Sequence, residues 1–270
     1  NHLYQGNELE IEERSITWPR VLDVNDRALR HIVTGLGGRI DGVTRQSSFD
    51  ITPASEVMVI MSLATSLKDL RERLGRIVIG RSKSGKWITA EDLQAAGAMT
   101  ALLRDALQPN LLRTSENTPV LIHTGPFGNI ATGCSSVVAD LIAAQHADYV
   151  VTEAGFGADM GAERFFDLKC AVSGLRPHAA VLVTTVRSLK SHSGKFKITA
   201  GKGLPEQMLA ESPQDVRAGQ ANLLKHIEIV RGFGMEPVVA INVFPTDHES
   251  ELAEIEAIAR EAGARVARSY

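Results

Sequence analysis

The sequence predicts an α/β protein: a parallel sheet whose strands are joined by crossover helices, together with a smaller α+β auxiliary domain. After residue 118, short apolar runs typical of strands alternate with helical patterns, and such alternation is characteristic of parallel sheets. Before that point, helical patterns are mixed with a hairpin pattern. With 270 residues, of which 44% are hydrophobic, the chain is long enough for about two domains.

Charge and composition argue against nucleic-acid and membrane partners. The net charge is -3 and no basic stripe is present, so no nucleic acid is expected to bind. No apolar run approaches the roughly eighteen residues of a membrane span, so no membrane partner is expected. The two cysteines, Cys134 and Cys170, lack the spacing of a metal site, which predicts no protein-bound metal and a cytoplasmic protein with reduced thiols.

The first 118 residues are expected to form the mixed elements of the auxiliary domain. Three segments follow helical spacing, and two strand-like runs flank a polar turn. Pro53 is placed in the first turn of the second helix, where proline is tolerated. The expected elements are helices over 25–33, 53–76 and 90–107 and a hairpin formed by 77–80 and 87–89.

The remainder of the chain is expected to supply the parallel sheet, with a domain boundary between 115 and 118. Strands are predicted at 119–122, 149–151, 179–184, 237–241 and 265–268, and helices at 134–145, 214–232 and 249–262. In an open parallel sheet, ligands bind just beyond the carboxyl ends of the strands. The loops that follow the strands are therefore the candidate functional segments.

Two glycine patterns have partial nucleotide-binding spacing and are interpreted as turns. Residues 80–86 match the spacing of a phosphate loop, but residues 87–89 continue as a strand instead of starting a helix with Ser or Thr. This segment is therefore predicted to be the turn of the hairpin. Residues 35–38 lack the third glycine and the acidic residue of a dinucleotide fingerprint, so a turn is predicted there too.

The loop after the strand at 119–122 is the first candidate. It offers the imidazole of His123, the small Gly125 and the amide of Asn129, ahead of a helix start near Cys134. Glycines at a strand's carboxyl end let backbone N–H groups approach an anion, and the polar side chains between them can orient a reacting group. The alternative is structural: His123 satisfies a backbone carbonyl, and the Gly-Pro pair makes a turn.

The loop after the expected strand at 149–151 is the second candidate. Phe156, Gly157 and Asp159 lie in its glycine-rich part. Asp159 or Glu153 is expected to position a cation or a substrate amine. The alternative for the carboxylate is to cap the helix that follows.

Two cations follow the apolar strand at 179–184. Arg187 and Lys190 suit phosphate or carboxylate binding, because arginine makes bidentate contacts and lysine supplies a point charge. The alternative is a solvated basic turn without a ligand.

The strand at 237–241 is followed by an aromatic residue between two polar ones. Phe244 is expected to stack on a flat heterocycle, and Asn242 or Asp247 to hydrogen-bond to its polar edges. The alternative is that Phe244 caps the core.

Several long motifs in a fixed order give the chain a specific resemblance to one family. The motifs are WPRVLDVNDR (18–27), FDIT (49–52), ASEVM (54–58), GPF (125–127), TEAGFGAD (152–159), VRSLKSH (186–192) and VAINVFPTD (239–247). Together they resemble the formate–tetrahydrofolate ligases, and the likeness runs through nearly the whole chain.

The resemblance implies a sheet of the P-loop nucleoside-triphosphatase type, with the family's own phosphate loop upstream of Asn1 and therefore missing. It implies that residues 1–14 are a remnant of an upstream nucleotide-binding domain, 15–117 the auxiliary α+β domain and 118–270 the continuation of the nucleotide- and folate-binding α/β domain. A start at Asn1 without an initiator methionine fits a piece of a longer polypeptide, and a processed terminus is the alternative.

The resemblance also implies an activity, the ATP-driven joining of formate to tetrahydrofolate by way of formyl phosphate, which gives 10-formyltetrahydrofolate, ADP and phosphate. ATP with Mg²⁺, formate and tetrahydrofolate are the implied reactants. A monovalent cation (K⁺ or NH₄⁺) is an implied activator, and a homotetramer is the implied assembly. We expect the chain to be inactive without the missing segments.

The implied site uses the candidates described above. His123 and Gly157 would lie beside the anhydride, Asp159 would orient the amine or a cation, Arg187 and Lys190 would hold anionic groups, and Phe244 would stack on the pterin or the adenine. Two other interpretations stay open. One is a non-catalytic folate- or nucleotide-binding module derived from the same fold. The other is an α/β enzyme of unrelated chemistry, such as a dehydrogenase, which the absent dinucleotide fingerprint disfavours.

Overall fold

The computed structural model describes residues 2–127, 135–199 and 201–270 and has a mixed α/β fold with small parallel and antiparallel sheets. The chain divides into two compact units. One consists of Asn1–Gly155 and Asp167–Gly174, and the other of Phe156–Phe166 and Leu175–Tyr270. The domain boundaries predicted after residues 14 and 117 stay predictions. In the described part of the chain, no helix is both long and apolar enough to cross a membrane.

The first unit is built from short strand pairs and helices. Its elements are β1 (Arg20–Val21), β2 (Ile32–Thr34), β3 (Arg45–Ser47), β4 (Phe49–Asp50), α1 (Glu56–Leu63), α2 (Leu67–Gly75), β5 (Val78–Arg81), β6 (Trp87–Thr89), α3 (Ala96–Leu103), β7 (Asn110–Arg113), β8 (Pro119–Ile122), α4 (Val137–His146) and α5 (Ala171–Ser173). The pair β1–β4 is parallel, and β2–β3, β5–β6 and β7–β8 are antiparallel. Its core includes Met61, Leu70, Leu74, Ile77, Ile79 and Leu107.

The helix predicted over 25–33 is wrong. A 3-10 turn at Arg27–Leu29 is capped by Asp26, whose carboxylate accepts a hydrogen bond from the Ala28 N–H at 2.8 Å, and the chain then enters β2. All three residues of β2 are β-branched. Branching at Cβ restricts the side-chain rotamers in a helix and favours a strand, so the local propensity agrees with the observed structure.

The single helix predicted over 53–76 is two helices. Pro53 lies in a 3-10 turn before α1, and the chain leaves helical geometry at Ala64 before α2 begins. The Ser66 hydroxyl accepts a hydrogen bond from the Asp69 N–H at 3.1 Å and so caps α2. The capping Ser66 therefore marks the break between α1 and α2, which the apolar spacing alone does not show.

The hairpin predicted at 77–80 and 87–89 is confirmed as β5 and β6. Residues 80–86 include its turn, where the Gly85 N–H donates to the Ser82 carbonyl oxygen at 2.9 Å, so their interpretation as a turn is confirmed. The glycines at 35–38 likewise lie between β2 and β3. The helix predicted over residues 90 to 107 is confined to α3.

The second unit is a three-stranded parallel sheet with helices between its strands. Its elements are a π-helical segment (Gly157–Ala162), β9 (Ala180–Thr184), α6 (Val186–Ser191), α7 (Glu206–Leu209), α8 (Pro213–Ala218), α9 (Gln220–Gly232), β10 (Pro237–Asn242), α10 (Glu249–Glu261) and β11 (Arg265–Ser269). The strand order is β11-β10-β9, and both pairings are parallel. The last three predicted strands and their parallel arrangement are therefore confirmed.

Two strands predicted for the parallel sheet are not part of it. The strand at 119–122 exists as β8, but it pairs antiparallel with β7. Residues 149–151 form no strand, and Tyr149 and Val151 are exposed. A short apolar run has the same pattern in either kind of sheet, because its pairing is decided by partners outside the run.

The core of the second unit lies on one face of its sheet. Val239 and Ile241 of β10 are fully buried on this face, where they pack against residues of α9 and α10. Successive residues of a strand point to opposite faces. Val181 and Val183 of β9 point to the other face and are 67% and 64% exposed.

The helix predicted over 214–232 is split into α8 and α9 at Gly219. A Cβ atom at this position would lie 1.8 Å from the Leu189 carbonyl oxygen, so glycine is required where the α8–α9 junction meets α6. The helix predicted over 249–262 is confirmed as α10. The described part of the helix predicted over 134–145 is α4, which begins at its Ser136 cap.

Candidate functional site

Side chains beyond the carboxyl ends of β9 and β10 form a cluster, the Arg187–Phe244 cluster, which consists of Arg187, Phe244, Thr246 and Asp247. The guanidinium carbon of Arg187 lies 4.3 Å from the centroid of the Phe244 ring, and Nη2 donates to Thr246 Oγ1 at 2.8 Å. The Arg187 Nε is buried and has no hydrogen-bond partner among the residues that the structure describes. The guanidinium therefore keeps one unsatisfied donor, which is enclosed by protein.

The helix that carries Arg187 starts directly after β9 because two side chains cap it reciprocally. The Ser188 N–H donates to Thr185 Oγ1 at 3.0 Å, and the Thr185 N–H donates to Ser188 Oγ at 3.1 Å. Residues 186–191 are therefore helical, not the basic turn that the sequence left open. Arg187 is held in the first turn of α6, next to the strand end.

Asp247 fixes the turn that carries Phe244. Its Oδ2 accepts a hydrogen bond from the Phe244 N–H at 2.9 Å, and its own N–H donates to the Phe244 carbonyl oxygen at 2.9 Å. Aspartate commonly stabilises turns by bonding to nearby backbone in this way. Asn242 is the last residue of β10 and is exposed. The structure thus brings together the cation, the ring and the carboxylate that the sequence singled out separately.

Lys190, one helical turn after Arg187, points into the core. Its side chain is 1% exposed, and Nζ forms an ion pair with the equally buried Glu251. The same nitrogen donates to the carbonyl oxygens of Met208 at 3.0 Å and Ala210 at 2.7 Å. An ammonium group has three hydrogens, and all three are used within the unit. The geometry favours a structural role, and the catalytic role of Lys190 stays a prediction.

The π-helical segment and α9 form a second cluster, the Asp159–His226 cluster, which consists of Gly157, Ala158, Asp159 and His226. Nδ1 of His226 accepts a hydrogen bond from the Ala158 N–H at 2.9 Å, so the proton of the neutral ring sits on Nε2. That nitrogen lies 3.9 Å from Asp159 Oδ1. The histidine therefore holds the backbone beside Asp159 while its N–H edge faces the carboxylate.

Two features favour glycine at position 157. Its φ is +58°, in the left-handed region that favours glycine. A Cβ atom there would also lie 2.5 Å from Asp159 Oδ1 and 3.1 Å from His226 Cε1. Any larger residue would consequently displace the carboxylate or the imidazole.

Phe156 and Asp159 face solvent at the start of the π-helical segment, with exposed fractions of 72% for Phe156 and 65% for the Asp159 side chain. No side-chain cap hydrogen bond is present at the start of this described segment, so the alternative role of Asp159 as a helix cap has no contact to support it. π-Helical turns are rare and frequently occur at functional sites. A ring and a carboxylate are thus available to an incoming ligand.

Sequence reasoning missed His226. It lies in the middle of α9, 68 positions from the backbone N–H that it binds. A single histidine on an amphipathic helix carries no distinctive spacing, and the contact is not local. Of this cluster, the sequence singled out only Gly157 and Asp159, because both lie in the glycine-rich loop.

In the first unit, His123 lies buried directly after β8. Its Nε2 is 2.8 Å from the Ala106 carbonyl oxygen and its Nδ1 is 2.6 Å from Ser136 Oγ. A carbonyl oxygen only accepts, so Nε2 carries the proton and Nδ1 accepts from the serine hydroxyl. Ser136 also caps α4 by accepting from the Ala139 N–H at 3.0 Å. Both ring nitrogens are used, which favours the structural alternative, and the catalytic role of His123 stays a prediction.

The rest of this loop gives mixed indications. Gly125 is exposed, and an added Cβ would meet nothing within 4 Å, so packing does not require glycine there. Thr124 has a φ of +56°, a strained conformation for a β-branched residue that costs about 1–3 kcal/mol. Strain of this kind is concentrated at functional sites. Asn129 lies outside the described residues.

Fold and clusters together define a mixed α/β protein, in which a cation, an aromatic ring and a carboxylate lie just beyond the strand ends of a parallel sheet. A family model described as formate–tetrahydrofolate ligase matches residues 1–270. The chain therefore belongs to the formate–tetrahydrofolate ligase family, as its motifs predicted.

Individual relatives agree with the family model. The chain is 64% identical to a formate–tetrahydrofolate ligase of Saccharopolyspora erythraea and 63% identical to one of Cutibacterium acnes, with 100% of this chain and 48% of the relative covered in both cases. It is 57% identical to one of Roseiflexus sp., with 98% of this chain and 47% of the relative covered. The chain thus spans about half the length of the curated relatives it matches.

Proposed function

We propose that the chain is part of an enzyme that joins formate to tetrahydrofolate with ATP and gives 10-formyltetrahydrofolate, ADP and phosphate. The observation that carries the proposal is the Arg187–Phe244 cluster, in which a guanidinium lies against an aromatic ring at the end of a parallel strand. Membership of the family supports the same reaction. Nucleotide and folate both combine flat heterocycles with anionic groups, and a ring beside a cation is complementary to both.

The proposed reaction has two steps. A carboxylate oxygen of formate attacks the γ-phosphorus of ATP, the bond from that phosphorus to ADP breaks, and formyl phosphate forms. N10 of tetrahydrofolate then attacks the formyl carbon, and phosphate and the amine proton leave. Positive groups and N–H donors stabilise the charge that develops on the formyl oxygen in this second step.

The second unit offers a group for several of these tasks. We assign Phe244 to stacking on the pterin or the adenine, Arg187 to an anionic group of a reactant and the exposed Asn242 to a polar edge of the ring. Asp247 is assigned to positioning Phe244, because its carboxylate is used by the backbone of that residue. Asp159 is exposed and can accept a hydrogen bond from the substrate amine.

Some candidate residues receive no chemical step in this proposal. His123 and Lys190 use their polar atoms within the protein, so neither is given a proton or an anion to bind. Phe156 and Gly157 are assigned to contact with a reactant, through an exposed ring and a glycine backbone. Gly125 and Asn129 stay predicted contacts.

We further propose that the sheet β11-β10-β9 belongs to a sheet of the P-loop nucleoside-triphosphatase type and that the whole protein is a cytoplasmic homotetramer. The alternation of parallel strands and helices supports the fold. Within residues 2–127, 135–199 and 201–270, no group of three or more His, Cys, Asp or Glu is placed to hold a metal ion. On the family resemblance, Mg²⁺ is proposed as the ion carried by ATP and K⁺ or NH₄⁺ as an activator.

The test is formation of 10-formyltetrahydrofolate that depends on ATP, formate and tetrahydrofolate. We would compare this chain with a version extended upstream and downstream in its own reading frame, the extended chain. Turnover is expected only in the extended chain. There, Phe244→Leu should lower kcat/KM by about tenfold, because loss of a stacked ring costs roughly 0.5–1.5 kcal/mol beyond the loss of contact area.

The matched control is Phe196→Leu, which changes a ring of the same unit outside the Arg187–Phe244 cluster and should leave kcat/KM near wild type. Unchanged kinetics in Phe244→Leu would remove the stacking role. If the folded extended chain bound tetrahydrofolate or ATP without turnover, the binding-module interpretation would replace the enzyme.

A further inference from the structure

A cavity of about 300 Å³ in the first unit is lined largely by polar side chains and contains no carboxylate among the described residues of its lining. Trp18 contributes one wall, and Arg45, Ser47 and His31 contribute polar groups. The cavity lies where the segment before β1 meets β3. None of these residues takes part in the function proposed above.

Two arginines meet at this cavity without a carboxylate partner. Arg45 lines it, and the guanidinium of Arg20 donates to Ser47 Oγ at 3.0 Å, which places Arg20 at its rim. Burial lowers the pKa of Arg45, and the positive charge of Arg20 lowers it further. The nearby Asp23 is engaged with the Thr52 N–H at 2.9 Å. In the described ranges neither arginine forms an ion pair with any carboxylate, including Asp50 on the adjacent β4.

Other polar side chains of the lining can also donate hydrogen bonds. The Gln46 side-chain N–H donates to His31 Nδ1 at 3.3 Å, so the proton of the neutral ring is on Nε2. Ser47 Oγ accepts from Arg20 and keeps its own hydrogen to donate. Guanidinium, imidazole and hydroxyl groups of the lining can therefore donate to an anion, and no carboxylate is among the lining residues that the structure describes.

We propose that this cavity binds the phosphate group of a small molecule or free phosphate. Two guanidinium groups match the charge of about −2 that a phosphate carries at neutral pH, and each can make bidentate contacts with its oxygens. A carboxylate would neutralise one of the two cations and leave the other uncompensated. The volume of about 300 Å³ is large enough for a small phosphorylated molecule to enter beside the Trp18 wall. The site is independent of the ligase activity proposed above.

The test uses the complete chain and isothermal titration calorimetry at constant ionic strength. Inorganic phosphate, glycerol 3-phosphate and acetate are titrated separately, and backbone amide shifts of residues 45–48 locate the binding. Saturable binding of one or both phosphate compounds is expected, with acetate at least about tenfold weaker. Tighter binding of glycerol 3-phosphate would identify a phosphorylated small molecule as the ligand, and the reverse order would identify the free anion.

Three variants assign the binding to Arg45. Arg45→Gln should weaken phosphate binding at least about tenfold, since hydrogen bonds to charged groups are among the stronger ones. Arg45→Lys keeps the charge but loses the planar fork and should show an intermediate loss. Arg113→Gln makes the same change of charge at an exposed arginine of β7 and should stay within about twofold of wild type.

Thermal unfolding separates a binding role from a structural one. Without phosphate, Arg45→Gln should unfold at the wild-type temperature or above it, because the substitution removes repulsion between like charges. Phosphate should raise the unfolding temperature of wild type more than that of the variant. Equal phosphate affinity in wild type and Arg45→Gln, acetate binding as tight as phosphate, or an equal loss in Arg113→Gln would overturn the proposal. A lowered unfolding temperature of Arg45→Gln without phosphate would also count against it.

Discussion

Lys190 and Glu251 form an ion pair in which each side chain is only 1% exposed. Glu251 also accepts hydrogen bonds from the backbone N–H groups of Ser212 at 2.8 Å and His248 at 3.3 Å. The pair thereby joins α6 to the segment before α8 and to the start of α10. Arg187 lies one turn earlier on α6 and contacts Phe244 instead. The two cations of this short helix therefore lie in different environments: Lys190 is in the core, and Arg187 is at the strand ends.

Replacing Lys190 should therefore destabilise the second unit strongly. Lys190→Met would leave Glu251 buried without its counter-charge, and breaking a buried pair on one side costs about 3–5 kcal/mol of the free energy of unfolding. The loss should appear as faster hydrogen exchange of the β10 amides and a lower urea midpoint by circular dichroism. Both tryptophans, Trp18 and Trp87, lie in the first unit, so their fluorescence would not report this change.

The control for Lys190 is Lys225→Met, which removes an exposed lysine paired at the surface with Glu228. Exposed pairs contribute about 0–1 kcal/mol, so its unfolding should resemble wild type. A loss below about 1 kcal/mol in Lys190→Met would show that the pair is not a main support of the unit.

The hydrogen bond between Ala158 and His226 predicts a difference between two substitutions of the same histidine. His226→Leu leaves the Ala158 N–H without its acceptor, and its hydrogen exchange should accelerate at least about tenfold. His226→Asn keeps an acceptor in a similar position and should retain most of the protection. Equal exchange of the Ala158 amide in wild type and His226→Leu would show that the histidine does not hold this segment.

Arg187 predicts that charge alone is not enough in the Arg187–Phe244 cluster. Arg187→Lys keeps the positive charge but loses the planar group that lies over Phe244 and reaches Thr246. In the extended chain we expect about a tenfold lower kcat/KM, with formate, ATP and tetrahydrofolate varied in turn. Arg176→Lys, an exposed arginine of the same unit, should behave as wild type. Full activity of Arg187→Lys would show that only the positive charge at position 187 contributes, and not the planar guanidinium.

Arg268 predicts a pH-dependent part of the stability. Its Nη1 and Nη2 each donate to a different oxygen of Glu249 at 2.8 Å, and its Nε donates to Glu256 at 2.6 Å. These hydrogen bonds lower the pKa of both carboxyl groups. A carboxyl group with a lowered folded-state pKa stabilises the fold above its unfolded pKa of about 4.3, and that stabilisation is lost as the pH falls through the lowered value.

Arg268→Met should accordingly be less stable than wild type at pH 7, and the difference should shrink below about pH 4 as the two glutamates become protonated in wild type. Thermal unfolding followed by circular dichroism across this range measures it. Arg260→Met, which removes an exposed partner of Glu256 alone, should have a smaller effect. A difference of constant size between pH 7 and about pH 3 would contradict this origin.

Residues that are local to a strand end could be predicted from sequence, and those that depend on distant partners could not. Phe244 and Asp247 lie within a few residues of β10, so the apolar run alone located them. The burial of Lys190 depends on Glu251, in an element much later in the chain, and no spacing near Lys190 reveals it. His226 was missed for the same reason.

The fold shows the same division between local and distant information. β9 and β10 were predictable because each is an apolar run followed by helical segments. β11 carries Arg265 and Arg268, and its prediction rested on the alternation of strands and helices that precedes it. β8 is also an apolar run, but a short turn connects it to β7. The two strands pair antiparallel, so β8 belongs to a hairpin and not to the parallel sheet. The capping residues Asp26 and Ser66 were visible in the sequence. Their hydrogen bonds to nearby backbone set where the helical turns begin, although the apolar spacing around them predicts longer helices.

Gly219 has a consequence for how this unit tolerates change. It lies where α9, with His226, begins beside α6, with Arg187, and any Cβ atom would collide with the Leu189 carbonyl oxygen. In a saturation-mutagenesis library, position 219 should accept glycine alone, whereas Gly232, where an added Cβ meets nothing within 4 Å, should accept many residues. Side chains around Arg187 and His226 can therefore vary, while the spacing between the two helices that carry them is held constant by this one glycine.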